Sequence, residues 1–427
     1  MNQVILMKVI LISIDAKYIH TNNAVRLLKA NSSFAMTLLE YTIKDDITHI
    51  AQEIISQQAD VIGFSVYIWN VRIVQDILQL LPPHISTIVL GGPEVSYDPT
   101  YFLNHTQADI ILSGEGERTF DNLLQHINQG LSYQNLPGIA FHHNQQLIVN
   151  PLEEIADIHN LEAPYYFEED IQHIPHKIGY IESSRGCPYN CSYCLSSLEK
   201  TVRFFDVNDV QKAISYLMEH GSKTIKFLDR TFNANKHTLS IIDYIITHDN
   251  NQTVFQFEIT GDVLPEKLVD YINTHARKGL FRFEIGIQST NDHTNELVDR
   301  RQKTDVLFDR IHQIQAGQVI DLHLDLIAGL PKEDKTSFIN TFNQVYKLGA
   351  KELQLGFLKM LRGTKIRFQA DKYNYRFHEQ APYEIIEIDV LSQDDIQEIK
   401  DVEHMLDIYH NKGYFGTRLA IYIQTLD

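Results

Sequence analysis

Cysteine is scarce in this chain of 427 residues, and its distribution is unusual. There are only 3 cysteines, Cys187, Cys191 and Cys194, and all of them lie close together in one loop. A disulfide framework needs an even number of cysteines, which are normally dispersed along the chain. We therefore expect free thiols and a reducing, cytoplasmic environment.

Basic residues and long apolar runs are also lacking. The 37 Lys and Arg residues are outnumbered by 55 Asp and Glu residues, which gives a formal net charge of −18. This balance argues against a nucleic-acid partner, because phosphate binding needs Lys and Arg concentrated on one surface. The apolar run over 4–14 is interrupted by Lys8, is too short to span a bilayer and lacks the features of a signal peptide. We expect no membrane partner, and Met7 is an alternative start to Met1.

Short apolar segments alternate with amphipathic helical patterns through the first part of the chain. Strands are predicted at 8–14, 60–66, 87–90 and 109–112. The alternation predicts a Rossmann-like α/β domain with a doubly wound parallel sheet over residues 1–135. Residues 136–175 contain several prolines, and we expect them to form a linker with a small hairpin around 142–146.

The alternation of strands and helices resumes at residue 177. Six strands are predicted, at 177–182, 224–229, 253–258, 281–287, 320–326 and 352–358. Six strand–helix units predict an open (βα)6 barrel over residues 176–375, because a closed barrel of eight units would need more chain. Residues 376–427 are acidic and are predicted to form a short helical C-terminal tail.

The cysteines form a CxxxCxxC loop directly after the first predicted barrel strand. Thiolates are the usual ligands of a [4Fe–4S] cluster, and three of them leave the fourth iron open to an exogenous chelate. The loop lies at the C-terminal mouth of the barrel, where barrel enzymes have their active sites. Structural zinc usually takes four protein ligands, so a zinc site would need one of the 20 His residues. The spacing favours the cluster, and zinc is the alternative.

The loop resembles that of the radical SAM superfamily, down to Tyr193 before the last cysteine. The resemblance implies that the three cysteines are the catalytic centre and that the open iron binds S-adenosylmethionine (SAM). In that family an electron from the cluster breaks a carbon–sulfur bond and gives methionine and a 5′-deoxyadenosyl radical, which takes hydrogen from the substrate. It also implies a flavodoxin or ferredoxin as reductant, anaerobic chemistry, and a small-molecule or peptide substrate that the sequence does not identify.

Later segments at strand ends resemble the SAM-binding elements of the same family. The resemblance implies that Asp229 contacts the SAM ammonium, that segment 284–289 contacts the ribose and carboxylate, and that segment 326–331 lies beside the adenine. The first glycine of this last motif is absent. The SAM-binding residues implied in this way are Tyr193, Asp229, Thr231, Glu258, Gln288, Ser289 and Ile327. The alternative for each is an ordinary polar strand end.

Three segments of the first domain, 59–67, 89–94 and 108–117, resemble the cobalamin-binding domain that precedes many radical SAM barrels. They end in small and acidic residues at the carboxyl ends of strands, where open α/β sheets bind ligands and a flat macrocycle can approach the backbone. The cobalamin-binding residues implied are Ser65, Tyr67, Gly91, Gly92, Glu94, Gly114 and Gly116. The DxHxxG motif is absent, which argues against His20 as a cobalt ligand. Binding without a protein histidine and loss of the cofactor are both open.

The resemblance implies a cobalamin-dependent radical SAM enzyme that methylates or otherwise modifies an unreactive carbon, which makes it a transferase in the methylating version. A cobalamin-free radical SAM enzyme for a rearrangement or ring closure is one alternative. A non-catalytic cluster or zinc protein, acting as a sensor or scaffold, is another. We expect Trp69, the only tryptophan, to pack in a core or interface, and the alternative is a position that faces cobalamin. We expect Arg300 and Arg301 to lie at the surface, and the alternative is a contact with an anionic substrate.

Overall fold

The computed structural model describes residues 7–153, 155, 157–199 and 201–413. Residue contacts divide the chain into two compact units, 1–179 and 180–427. The sequence-based predictions for Met1 and for the end of the C-terminal tail, 414–427, lie outside the described residues. Within the described segments, no helix has the length and the apolar composition needed to cross a membrane.

The first unit is built on a seven-stranded sheet in the order β2-β1-β3-β4-β5-β6-β7. The strands are β1 (Val9–Asp15), β2 (Met36–Thr42), β3 (Val61–Ser65), β4 (Thr87–Gly91), β5 (Ile110–Leu112), β6 (Ile139–His143) and β7 (Gln146–Val149). Strands β1 to β5 are parallel, and the last two continue the sheet as an antiparallel hairpin. Every residue of β1 is buried, as expected for a parallel strand covered on both faces.

Helices connect the parallel strands of this sheet. They are α1 (Asn23–Ala30), α2 (Ile47–Ser56), α3 (Val71–Leu80), α4 (Pro93–Ser96), α5 (Pro99–His105) and α6 (Glu117–Gln129). Side chains cap several of them, since Asn22 accepts from the backbone N–H of Val25 and Asp46 from that of His49. The carboxyl ends of β1, β3, β4 and β5 therefore lie along one edge of the sheet, each followed by a loop into a helix.

The second unit contains a six-stranded open sheet in the order β15-β14-β13-β12-β11-β8. Its strands are β8 (Gly179–Ile181), β11 (Thr224–Phe227), β12 (Val254–Ile259), β13 (Phe281–Gln288), β14 (Asp321–Ala328) and β15 (Glu352–Phe357), and a short pair, β9 (Ser184–Arg185) and β10 (Arg203–Phe204), flanks the first. The registered pairs from β11 to β15 are all parallel. The α/β fold class and the six-stranded open arrangement predicted from the sequence are confirmed.

Helices follow the strands of the second unit in turn. They are α7 (Val207–Glu219), α8 (Thr238–Thr247), α9 (Glu266–His275), α10 (Asp292–Leu297), α11 (Thr304–Gly317), α12 (Lys335–Tyr346) and α13 (Lys365–Phe368). In the described part of the C-terminal tail, a hairpin of β16 (Arg376–Phe377) and β17 (Ile385–Glu387) precedes α14 (Gln393–Leu406). The loop with the three cysteines follows β9, and it lies at the edge of this sheet where the strands have their carboxyl ends.

Candidate functional site

The three cysteines lie in one loop between β9 and β10, and the antiparallel pairing of these two strands fixes its base. Cys191 is buried, whereas Cys187 and Cys194 are half-buried, and all three are free thiols. Inside the loop, the N–H of Cys194 donates to the carbonyl of Cys191 over 3.0 Å. Gly186, the residue before Cys187, has φ +88°, and a Cβ there would collide with the carbonyl of Thr201. Only glycine therefore allows the chain to pass this close to Thr201.

The donor set of this loop fits a [4Fe–4S] cluster. Within the described residues, no three His, Cys, Asp or Glu side chains converge closely enough to hold a metal ion. Thiolate ligands of a cube are spread more widely, because each of them binds a different iron. Burial raises the pKa of the Cys191 thiol, an effect that Arg300 beside it opposes. The loop therefore offers three thiols, one of them beside a cation, and three thiolate ligands leave one iron of a cluster open.

Thr231 and Asp229 support this loop from the strand end after β11. The Thr231 hydroxyl lies 3.7 Å from the Cys187 sulfur. Asp229 is 1% exposed and accepts hydrogen bonds from Ser183 N–H (2.9 Å), Ser183 Oγ (2.6 Å) and Ser184 Oγ (2.5 Å). With these hydrogen bonds, Asp229 holds the segment before the cysteines, and its contact with the SAM ammonium stays a prediction.

Ser289, another predicted SAM contact, has its hydroxyl bound inside the protein. Its side chain is fully buried, and its hydroxyl donates to Oε1 of Glu333 over 2.5 Å. Thr341 donates to the same oxygen over 3.0 Å. The hydroxyl of Ser289 therefore binds Glu333 inside the protein, and a contact of Ser289 with SAM stays a prediction.

The buried Glu333 leads to a prediction about stability and pH. Burial raises the pKa of Glu333 from 4.5 to about 7, against the lowering effect of the Ser289 and Thr341 hydroxyls. Between pH 4.5 and about pH 7, the folded state therefore binds one more proton than the unfolded state. The contribution of Glu333 to the unfolding free energy should fall by about 3 kcal/mol as pH rises through this range. We expect Glu333→Gln to abolish this fall. Urea unfolding followed by circular dichroism from pH 4.5 to pH 8 measures it.

A matched control for this prediction is Glu296→Gln, which changes an exposed carboxyl in the same unit. It should keep the pH dependence of the wild-type protein. An unchanged pH dependence in Glu333→Gln would show that Glu333 is not the group that carries the extra proton.

Arg300 lies beside the cysteine loop, although a surface role was expected from the sequence. Its Nη2 donates to the carbonyl of Gly286, and its Nη1 lies 3.4 Å from the Tyr193 hydroxyl. It also lies close enough to Cys191 to oppose the rise of its pKa. The expectation of a surface role is therefore wrong for Arg300, since the reversal after α10 turns it inward, whereas Arg301 is exposed as expected.

Gln288 and Glu258 remain at the carboxyl edge of the sheet. Gln288 has φ +67°, folds its side chain back over Gly286, and leaves a buried Oε1 without a partner among the described residues. Glu258 is 24% exposed and lies 3.5 Å from both Lys226 and Arg230. A side-chain amide oxygen without a partner at a strand end is a position where a hydrogen-bond donor of a ligand fits.

One face of the second sheet is lined with charged side chains. Lys226 lies 3.0 Å from Glu284, and His323 lies 3.0 Å from Asp325. Burial would raise the pKa of Glu284, but Lys226 outweighs burial and the pKa is lowered. Likewise, burial would lower the pKa of His323, but Asp325 reverses this and raises it. Such a polar face is expected for a strand surface that encloses a binding site and not a dry core.

A cavity of about 620 Å³ runs along β15 in the second unit. Tyr193 and Ile327, two predicted SAM contacts, line it together with Leu355 and Phe357. Lys359 and three residues of the C-terminal tail, Glu384, Lys400 and Glu403, form another part of its wall. One part of the cavity wall is therefore apolar and lies next to Tyr193, and the other part is charged.

At the first sheet, the loop after β3 carries a stacked aromatic pair of one half-buried and one exposed side chain. Tyr67 and Trp69 stack with ring centroids 4.4 Å apart, and Trp69 donates from Nε1 to the carbonyl of Ile14 over 3.1 Å. Trp69 is 44% exposed, so it does not pack in the core of this unit, and the expected role in an interface stays a prediction. Ser65 is buried and accepts from Asn22 over 2.8 Å, which ties the end of β3 to the start of α1.

The other predicted cobalamin residues lie at the ends of β4 and β5. Gly91 and Gly92 are half-buried, and Gly92 has φ +112° and approaches the Val66 carbonyl so closely that a Cβ would come within 2.5 Å of it. Gly114 is exposed in its turn with φ +76°, whereas Gly116 packs against Leu112. The Glu94 side chain is buried. The aromatic pair and the glycines at one edge fit the approach of a flat macrocycle.

Comparison with protein-family models shows which families the two units match. Residues 181–345 match the radical SAM superfamily, and residues 10–124 match the B12 binding domain. The chain therefore contains a radical SAM domain in its second unit and a B12-binding domain in its first. The radical SAM domain implies a [4Fe–4S] cluster and SAM, and the B12-binding domain implies cobalamin. Residues 371–427 match a family of unknown function, DUF4080.

Two of the relatives that match this chain are named as methyltransferases. The chain is 24% identical over 327 residues to 2-(S-pantetheinyl)-carbapenam-3-carboxylate methyltransferase of Streptantibioticus cattleyicolor, covering 69% of this chain and 46% of that protein. It is 24% identical over 319 residues to the cobalamin-dependent radical SAM methyltransferase TokK of Streptomyces tokunonensis, with coverage of 69% and 46%. The chain thus spans about half the length of these relatives.

A solved structure has a fold similar to that of this chain. It is the radical SAM methyltransferase TsrM from Kitasatospora setae with cobalamin and a [4Fe–4S] cluster bound. The TM-score is 0.70 at 14% sequence identity, and the match covers 86% of this chain and 75% of that one.

Proposed function

We propose that this protein cleaves SAM reductively and uses the resulting radical to methylate an unreactive carbon of a small-molecule or peptide substrate. The observation that carries the proposal is the fixed loop of Cys187, Cys191 and Cys194 directly after the first barrel strand, in a chain that also has a B12-binding domain. The names of its relatives as methyltransferases support the choice of methyl transfer.

The residues of the second unit divide into binding and supporting roles. The three cysteines would hold the cluster, with Thr231 and Arg300 beside them. Gln288 and Ile327 would bind SAM, and Asp229 and Ser289 would position the segments that carry these groups. The cavity along β15 would receive the substrate, because it adjoins both Tyr193 and Ile327.

In the first unit, Tyr67, Trp69, Gly91 and Gly92 would contact cobalamin, with Glu94 and Ser65 shaping the strand ends. When bound, the cluster supplies the electron that cleaves SAM, and cobalamin supplies a carrier for a methyl group. The free thiols agree with a reducing cytoplasm as the place of this chemistry.

Product analysis tests the proposal. The full chain is reconstituted anaerobically with iron, sulfide and hydroxocobalamin, desalted, and given SAM and dithionite. We expect both 5′-deoxyadenosine and S-adenosylhomocysteine, the latter in amounts that follow the retained corrinoid. 5′-Deoxyadenosine alone with corrinoid retained would contradict methyl transfer, and cleavage without retained corrinoid would point to a cobalamin-free rearrangement or ring closure. A loaded cluster with no cleavage would point to a sensor or scaffold.

A further inference from the structure

Two segments of the second unit are attached directly to the cysteine loop. Ser192, between the second and third cysteines, donates from its N–H to the carbonyl of Val298 over 2.9 Å. Its own carbonyl accepts from the N–H of Ile366 over 2.9 Å. Segments 298–303 and 362–372 are thus each hydrogen-bonded to Ser192, which directly follows the predicted cluster ligand Cys191.

These two segments are basic in an acidic protein. They contain seven Lys and Arg residues and two Asp residues, whereas the whole chain has a net charge of −18. Arg300 points inward to Tyr193, but four of the other cations are exposed: Arg301, Lys303, Lys365 and Lys372. Such a local patch attracts an acidic partner while the rest of the surface repels it.

An exposed aromatic side chain lies within this basic surface. Phe368 is 80% exposed, and no other large hydrophobic side chain among the described residues is as exposed. The segment around it is held in place, because the Arg367 guanidinium lies 4.8 Å from the ring centroid of Tyr383 and 5.2 Å from that of Phe377. Aromatic anchors surrounded by charge are typical of protein–protein contacts.

We propose that residues 298–303 and 362–372 form a reductant-docking surface, on which a small acidic one-electron carrier protein such as flavodoxin delivers its electron to the cluster through the Ser192 loop. The inference rests on the proposed function. The carrier loses one electron, the cluster gains it, and the carbon–sulfur bond of SAM is the final acceptor, so that the electrons balance.

The test separates a protein reductant from a chemical one. The rate of 5′-deoxyadenosine formation is measured with fully reduced flavodoxin and, separately, with dithionite, which needs no docking surface. We expect Phe368→Ala and the double variant Lys365→Glu/Lys372→Glu to lower the flavodoxin-driven rate about tenfold, as expected for loss of electrostatic steering and an anchor. The dithionite-driven rate should stay at the wild-type value.

Matched controls change equivalent residues elsewhere in the same unit. Lys212→Glu reverses an exposed lysine that pairs with Asp209 over 2.8 Å, much as Lys365 pairs with Asp299 over 2.6 Å. Leu239→Ala removes another exposed apolar side chain. Both should keep the flavodoxin-driven rate.

Three outcomes would overturn the docking proposal. One is an unchanged flavodoxin-driven rate in both surface variants, and another is an equal loss in the Lys212→Glu control. The third is binding of reduced flavodoxin that is the same at low and high salt and is equally strong in the wild-type chain and in the double variant. A wild-type chain that cleaves no SAM with dithionite would instead refute the proposed function.

Discussion

Cys191→Ala, Cys187→Ala and Cys194→Ala should each leave no measurable 5′-deoxyadenosine when the reconstituted chain is given SAM and dithionite. Each thiolate would bind a different iron, so the loss of one exposes a second iron and destabilises the cluster. The chain has no fourth cysteine that could take over. Iron and sulfide content, together with product yield by mass spectrometry, measures the effect.

Ser192→Ala is a matched control in the same loop. Ser192 is buried, and its hydroxyl has no hydrogen-bond partner among the described residues, so its removal should cost little. We expect this variant to keep its iron and its activity. A Cys191→Ala protein that still cleaves SAM at the wild-type rate would show that the loop does not hold the catalytic cluster.

Arg26→Met should destabilise the first unit by about 3 kcal/mol, because removal of one partner of a buried ion pair leaves the other charges uncompensated. Arg26 is 2% exposed and forms bidentate hydrogen bonds to Glu40, at 2.9 and 2.8 Å, and to Asp170, at 2.7 Å each. Asp15 lies in the same environment, where burial and then Glu40 raise its pKa to about 6. Without the guanidinium, these carboxylates would repel each other.

Urea unfolding measures this loss through the fluorescence of Trp69, the only tryptophan of the chain, which lies in the first unit. Arg72→Met, which changes an exposed arginine on α3, is the control and should unfold like the wild-type protein. The destabilisation by Arg26→Met should be smaller at pH 5 than at pH 8, since protonation neutralises part of the carboxylate charge. Equal midpoints for Arg26→Met and Arg72→Met would show that the network contributes no stability.

The strands that could be predicted from the sequence are those whose burial follows from their own residues. In β1, seven consecutive residues are buried, and all of them except Ser13 and Asp15 are apolar. Strand β2 was not predicted, because only Met36 of its residues is buried and its pairing with β1 decides its conformation. Edge strands of this kind take their structure from a neighbour that local sequence does not reveal.

The candidate site was predictable in residue type but not in the partners of each side chain. The cysteine spacing identifies the cluster loop directly. Asp229 and Ser289 were correctly seen as polar strand-end residues, but their partners Ser183 and Glu333 are more than 40 residues away, and only the fold brings them together. Arg300 was assigned to the surface for the same reason, because its contact with Tyr193 spans 107 residues.

The central claim is that the three cysteines hold a cluster with one iron open to SAM. Electron paramagnetic resonance of the dithionite-reduced, reconstituted chain, recorded before and after addition of SAM, tests it most directly. The account predicts the signal of a reduced [4Fe–4S] cluster that changes when SAM binds, and no such signal in Cys191→Ala. A signal that SAM leaves unchanged, or a loop that retains zinc and no iron, would contradict it.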